Sequence, residues 1–309
     1  MDLMKLIVMG QQAFGKAALE KILADGVDEV VAVYCAPDKP NRPMDPLKET
    51  ALEKGIAVCQ PANYRDSDTL DQMRSLNADL MIMAYVTLFV PEEARDIPEK
   101  GSICFHPSLL PLHRGPSSIN WPIIWGSEKT GFSWFYPTDG LDEGDILMQW
   151  ECPIGPDDTL GDVYFKKIFP AAIDSVSNVC NLFREGNPPR STQDESKATY
   201  ESWCKKNDAE IDWNESVQIV YNLIRGTNPQ PGAWTTRDGK ELKIFDAELV
   251  ENAKGEIGEI VEINNNGFIV MANGGGILIK RVRPHGNGKI SAGDWLKDSG
   301  VSVGAILGN

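Results

Sequence analysis

The 309-residue sequence has no run near the roughly 18 to 20 consecutive apolar residues that cross a bilayer, and its first apolar stretch stops at Gly10, too soon for a signal peptide. A cytoplasmic protein without a membrane partner is expected. The six cysteines (Cys35, Cys59, Cys104, Cys152, Cys180 and Cys204) form no C-x-x-C pair, so neither a disulfide framework nor a zinc site is signalled. They read as reduced, mostly buried thiols, and no metal is expected. Positive charge is scarce: 30 Lys and Arg stand against 45 Asp and Glu, a net charge of -15. A polyanion is repelled by such a chain at long range, which makes tRNA an unlikely partner. The exception is a local group of cations, Lys280, Arg281, Arg283, His285 and Lys289. The turn Gly10-Gln-Gln-Ala-Phe-Gly15 lacks the G-x-G-x-x-G spacing of a dinucleotide site, and no acidic residue closes the second apolar segment, so NAD(P) is not expected. Internal repeats and low-complexity segments are missing too.

Hydrophobic residues at 42% and charged residues at 24% describe a folded chain with material for a sizeable core, and its length favours two domains. Strands are read at 5–9, 30–35, 57–60, 80–84 and near 103–105, and helices at 14–23, 47–54 and 67–76. Strands alternating with helices predict a parallel sheet covered on both faces. In such sheets ligands sit at the carboxyl ends of the strands, which directs attention to the loops after Met9, Cys35, Ala84 and Phe105. After about Tyr200 the texture changes to a helix at 216–225, a Pro- and Gly-rich stretch at 228–233, and short strands at 242–245, 258–263, 267–272 and 276–281. These predict a small antiparallel barrel. The boundary is placed between a domain 1–203 and a domain 204–309.

The most informative segments are Gly101-Ser-Ile-Cys-Phe-His-Pro-Ser-Leu-Leu-Pro111, followed by Arg114-Gly115, and Asp139-Gly-Leu-Asp-Glu-Gly-Asp145. His106 closes a strand at the rim where sheet ligands bind. Histidine handles protons near neutral pH, and a carboxylate such as Asp142 can hold its ring and favour the charged form. Residue types alone leave a buried structural histidine beside an unrelated turn carboxylate equally open.

The pattern H-P-S-L-L-P-x-H-R-G, together with D-G-L-D-x-G-D-I-L, resembles the two hallmark segments of the folate-dependent formyltransferase family. Arg225-Gly-Thr-Asn-Pro-Gln-Pro-Gly-Ala-Trp234 resembles that family's entry into its C-terminal barrel. Within the family the chain looks most like the N-terminal hydrolase domain of 10-formyltetrahydrofolate dehydrogenase, through Met4-Lys-Leu-Ile-Val-Met-Gly-Gln11, Ser118-Ile-Asn-Trp121, Ala198-Thr-Tyr-Glu201 with Lys205-Lys206, and Ile224-Arg-Gly226. It is also similar to methionyl-tRNA formyltransferases. The resemblance implies an α/β fold: a Rossmann-like parallel-sheet formyltransferase domain with a smaller C-terminal OB-like β-barrel. It implies 10-formyltetrahydrofolate as co-substrate and a folate small molecule as partner. His106 and Asp142 are the implied catalytic pair. Leu88, Phe89 and Val90 are the implied lining of the folate pocket, with Ser108, Leu109, Leu110 and Pro111 shaping its wall and Asp139 and Gly140 in the acidic loop. His113 and Arg114 have no forced chemical role and read as braces.

One departure stands out. Formyltransferases usually carry Asn-x-His, with the Asn amide toward the formyl oxygen, and this chain has Cys104-Phe-His106, where a thiol is a weak donor. Cys104 is therefore a third candidate catalytic residue, either as a poor oxyanion donor or as a nucleophile. The hydrolase branch also tends to lack the Asn, so the expected reaction is hydrolysis of 10-formyltetrahydrofolate to formate and tetrahydrofolate. The alternatives are formyl transfer to methionyl-tRNA or a small amine, and a folate-binding protein without turnover. The 38–45 segment, with two cations, is short beside the basic loop usual in methionyl-tRNA formyltransferases.

Overall fold

The structure is a computed structural model that describes residues 3–308. The chain divides into two compact units: residues 1–114, 131–151 and 167–200 form the first, and residues 115–130, 152–166 and 201–309 the second. None of the helices among the described residues is long and apolar enough to cross a membrane.

The first unit opens as β1 (Lys5–Gly10), α1 (Gln12–Asp25), β2 (Glu29–Tyr34), α2 (Pro46–Glu53), β3 (Val58–Cys59), α3 (Ser67–Ser75), β4 (Leu80–Ala84), α4 (Glu92–Arg95) and β5 (Ser102–His106). After α5 (Asn120–Ile124) come β6 (Lys129–Phe135) and β7 (Ile146–Pro153), and after α6 (Leu160–Asp162) comes α7 (Phe169–Arg184). The seven strands make one sheet in the order β3-β2-β1-β4-β5-β6-β7. Pairing is parallel from β3 through β5, as the alternation of strands and helices predicts. The sheet is nevertheless mixed, because β6 runs antiparallel to β5 with Cys104 opposite Phe135 and His106 opposite Ser133.

The central strands are continuous apolar runs because both their faces are covered. On one side Ile7, Met9, Tyr34, Met81, Met83, Val90 and Ala94 share a core cluster with Leu70 and Met73 of α3. On the other face Phe105 stacks on Phe14 at 4.2 Å and meets Trp134 at 5.4 Å, and Phe14 meets Phe169 edge-on at 5.7 Å. Burying each such ring is worth about 1.5 to 3 kcal/mol. Gly10 is fixed by a close approach: a Cβ there would lie 1.9 Å from the Ala84 carbonyl oxygen. Asp45 sets the starts of two helices. Its carboxylate accepts from Leu47 N at 2.9 Å as the cap of α2, whose first residue is Pro46, and also from Gln12 N at 2.9 and 3.0 Å.

In the second unit α8 (Val217–Gly226) precedes β8 (Ala233–Arg237), β9 (Lys240–Ile244), β10 (Ala247–Val250), β11 (Ile260–Asn264), β12 (Gly267–Ala272), β13 (Gly275–Ile279), β14 (Arg281–Pro284), β15 (Ile290–Ser291) and α9 (Ala292–Ser299). These strands form two four-stranded sheets, β10-β13-β12-β11 and β15-β14-β9-β8, antiparallel throughout. Both contribute to one core that includes Ile244, Val282, Phe268, Val270, Ile277 and, from α8, Val220 and Ile224.

Candidate active site

Strand alternation puts Cys104 and His106 on one face of β5 and Ile103 and Phe105 on the other. Since Phe105 is held among Phe14, Phe132 and Trp134, the register of the strand end is fixed, and His106 is delivered to the rim of the sheet. The chain then doubles back. Ser108 N bonds His106 O at 2.9 Å, the Ser108 hydroxyl donates to Leu112 O at 2.7 Å, and the Leu110–Pro111 peptide is cis. Ser133 ties the loop to β6, donating to Ser108 O at 2.7 Å and accepting from Leu110 N at 3.1 Å. The side chains of Ser108 and Leu110 therefore face inward and are buried, while Leu109 and Pro111 keep part of their surface.

This fold-back brings the His113 carbonyl oxygen to 2.8 Å from His106 Nε2. A carbonyl can only accept, so Nε2 carries the proton. Nδ1 is left facing the acidic loop, 3.5 Å from Asp142 Oδ2. That distance is longer than a good hydrogen bond, and both side chains are little exposed. In a neutral ring with Nε2–H, bare Nδ1 would meet a carboxylate with no proton between them.

The acidic loop joins β6 to β7. Asp142 has a φ of 55°, in the left-handed region, where Asp and Asn are tolerated better than most residues. Gly144 is required by packing, since a Cβ there would lie 1.6 Å from Tyr136 O. Arg95, 5% exposed, donates to Val90 O at 2.7 Å and pairs with Asp139 at 2.8 Å. One buried guanidinium thus links the 88–90 segment after β4 to the entrance of the acidic loop. Within 88–90, Val90 is in the core, Leu88 is half-buried, and Phe89 is exposed with the Arg65 guanidinium 5.2 Å from its ring centre. Leu88 also lines a crevice of about 190 Å³ at the carboxyl ends of β1, β2 and β4, with Gln11, Tyr34, Cys35 and Tyr85. Gly140 is exposed at the outer bend of the acidic loop.

Cys104 is half-buried and packs against the core cluster on that side of the sheet. Burial pushes its thiol well above the ordinary range, and the nearby Asp142 charge adds to the shift. The thiolate is the nucleophilic form, so these surroundings oppose covalent chemistry at this sulfur.

Arg114, fully buried, braces the loop from behind. It donates to Glu195 at 2.6 and 2.9 Å and to Gln193 Oε1 at 2.8 and 3.1 Å, and it lies over the Tyr200 ring with a hydrogen bond to the hydroxyl. Hydrogen bonding to Glu195 keeps this cation above its usual range. The Thr199 carbonyl accepts from Arg114 N at 3.0 Å and its hydroxyl from His113 N at 2.8 Å, while Tyr200 donates to Glu143 at 3.0 Å. The sequence names His106, Asp142 and Cys104 as candidates and gives no sign of Arg95, Gln193 and Glu195, which the fold brings to the same loops. Ala198-Thr-Tyr-Glu201 was the one signal from that region, and it carried no hint of which loop it supports.

Residues 4–171 match the family described as formyl transferase, and residues 204–300 match the formyl transferase C-terminal domain. The cytosolic 10-formyltetrahydrofolate dehydrogenase of Xenopus laevis is 35% identical over 309 residues, covering 95% of this chain and 34% of that protein. The chain thus spans about a third of the length of such dehydrogenases. The methionyl-tRNA formyltransferase of Clostridioides difficile (strain 630) is 32% identical over 311 residues, covering 99% of this chain and all of that protein. Among solved structures, HypX from Aquifex aeolicus in complex with tetrahydrofolic acid superposes with a TM-score of 0.68 at 17% identity, over 98% of this chain and 48% of that one.

Proposed function

Since the chain belongs to the formyl transferase family, we propose that it removes the formyl group of 10-formyltetrahydrofolate by hydrolysis, giving formate and tetrahydrofolate. The observation that carries this reading is the His106–Asp142 pair at the end of β5, with Nε2 committed to the His113 carbonyl and Nδ1 turned to the carboxylate. Water adds to the formyl carbon as Asp142 collects its proton, and the charge that builds on the formyl oxygen is stabilised by a proton on His106 Nδ1. The C–N10 bond then breaks, N10 takes up a proton through the same pair, and formate leaves. The exposed face of the 88–90 segment and the acidic loop are the surfaces proposed to hold the folate, with Leu109 and Pro111 at the wall. Ser108 and Leu110 shape that wall from inside.

The test is formate release from 10-formyltetrahydrofolate with and without charged initiator tRNA. Release with no acceptor is the expected result. Strict dependence on tRNA would move the assignment to transfer, and folate binding without any turnover would make this a binding protein. The tRNA arm matters because the expectation drawn from the acidic net charge loses its support in the full-length match to a methionyl-tRNA formyltransferase. A specific observation also favours that second reading. Lys243 and Arg283 stand opposite one another in the β9–β14 pair, an unfavourable juxtaposition of like charges, with Lys289 nearby. Burial first and repulsion from Arg283 second lower the pKa of Lys243, and burial lowers that of Lys289, with Asp246 opposing and Arg283, Arg281 and Lys243 adding to the fall.

Cys104 tests the route. Removing a full oxyanion donor costs roughly 100- to 1,000-fold. A thiol donates weakly, so Cys104→Ala is expected to lose less than about tenfold in kcat. Cys104→Asn, which restores an amide, should hold or raise activity. Inactivation of Cys104→Ala as deep as that of His106→Ala, with a trapped formyl thioester on the wild-type thiol, would replace this mechanism with covalent catalysis.

A further inference from the structure

Asp142 sits in the left-handed region in a loop whose neighbours Leu141 and Glu143 are exposed, so some fixed group has to keep its carboxylate beside His106. The paired bonds of Ile146 and Ser191, 2.8 and 2.9 Å, bring the 191–193 segment alongside the exit of that loop. Two residues further on, Gln193 is 5% exposed, and its Nε2 donates to the backbone oxygens of both Asp142, at 2.8 Å, and Gly144, at 2.6 Å. The orientation of this amide follows from chemistry. A guanidinium only donates, and Arg114 presents Nε and Nη2 to one end of the Gln193 amide, so that end is the oxygen and the NH₂ is left for the two carbonyls. Both hydrogens of the NH₂ are then used, on the carbonyl of the left-handed residue itself and on that of Gly144 two residues on.

We propose that Gln193 is the positioning residue for Asp142, with its amide held in one orientation by Arg114, so that the carboxylate is set toward His106 Nδ1. The assignment rests on the functional reading above and adds to it the part that fixes the acidic loop. The same guanidinium anchors Arg114 and, through the adjoining His113, the loop whose carbonyl holds His106 Nε2. Histidine and aspartate are thereby referenced to one buried cation, although the histidine closes β5 and the aspartate lies in the loop after β6.

Gln193→Glu is the informative variant. It is isosteric and still accepts from Arg114, but it has no hydrogens for the Asp142 and Gly144 carbonyls and sets a carboxylate against both. Gln193→Ala removes the clamp without adding charge. Each variant should lose about 100-fold in kcat, the cost of displacing a reacting group by about 1 Å, with the KM for 10-formyltetrahydrofolate changed less than about threefold. Amide hydrogen exchange across 139–145 should quicken while the thermal midpoint of Gln193→Glu stays within a few degrees of the wild type. Asp142→Asn is assayed beside them. Normal kcat or unchanged exchange in Gln193→Glu, next to an impaired Asp142→Asn, overturns the positioning role and leaves the functional reading standing. Full activity in Asp142→Asn overturns both. If Gln193→Ala does not fold, Gln193→Glu decides. A rise in KM with kcat intact also counts against the proposal, because it would make Gln193 a support of the folate pocket.

Discussion

His106→Ala and Asp142→Asn are each expected to lose on the order of 100- to 10,000-fold in turnover, the usual scale for a positioned proton-transfer group, while tetrahydrofolate affinity changes little. The two losses should not add. In the proposed mechanism Asp142 acts through the proton at the 3.5 Å gap to Nδ1, so once the ring or the carboxylate is removed the other has no partner for that transfer. Measuring kcat for both single variants and the double variant, with affinity taken from quenching of protein fluorescence by tetrahydrofolate, checks this. Near-normal turnover in Asp142→Asn would sink the mechanism, and fully multiplicative losses would show that the two groups serve separate steps.

The second large effect is on stability. Arg184 and Asp28 pair at 2.6 Å with side chains only 7% and 4% exposed, and Asp28 also accepts from Met4 N at 3.2 Å. Arg184 reaches Asn181 as well, but its Nε is buried without a hydrogen-bond partner, so the cation is thinly compensated even in the wild type. Asp28→Ala would strand that charge in a site that already pushes the Cys180 thiol up to about 12, through burial first and the Asp28 charge second. Removing one partner of a buried pair typically costs about 3 to 5 kcal/mol, whereas replacing both with apolar residues is close to neutral. Urea denaturation of Asp28→Ala should show a loss in that range, and Asp28→Leu combined with Arg184→Met should recover most of it. A single-variant cost below about 1 kcal/mol would mean that water reaches the guanidinium.

Legibility followed the physics of each segment. Strands β1, β2 and β4 were readable because burial on both faces leaves nearly uninterrupted apolar runs such as Leu80–Ala84, and β3, only Val58–Cys59 at the sheet edge, was read from its place between two helical segments. Strands β6 and β7 were not, because Lys129–Phe135 and Ile146–Pro153 are rich in aromatic and polar residues, and an antiparallel neighbour needs no crossover helix to announce it. Helix α7 had a clear helical period in Ala172, Val176, Val179, Cys180 and Phe183, and that signal was passed over. In the second unit the short strands 242–245, 258–263, 267–272 and 276–281 correspond to β9, β11, β12 and β13, while β8, β10, β14 and β15, lacking compact apolar runs, were not read. At the site, His106 and Asp142 stood out because their residue types carry chemistry and their segments resemble known motifs. Gln193 lies 51 residues from Asp142 and is an ordinary loop amide in sequence terms. Only the fold shows that Arg114 dictates which way that amide points.

The left-handed backbone at Asp142 also narrows the mutational neighbourhood of this position. Glycine, asparagine and aspartate occupy that conformation at little cost, whereas other L-residues pay about 1 to 2 kcal/mol for it. A drifting lineage therefore has two easy exits, Asn and Gly, each one nucleotide change from an Asp codon. Both keep the turn and discard the carboxylate. Selection on folding alone would let such changes through, so under the proposed mechanism an aspartate here is kept by selection for turnover, and activity can be lost without any loss of the folded protein.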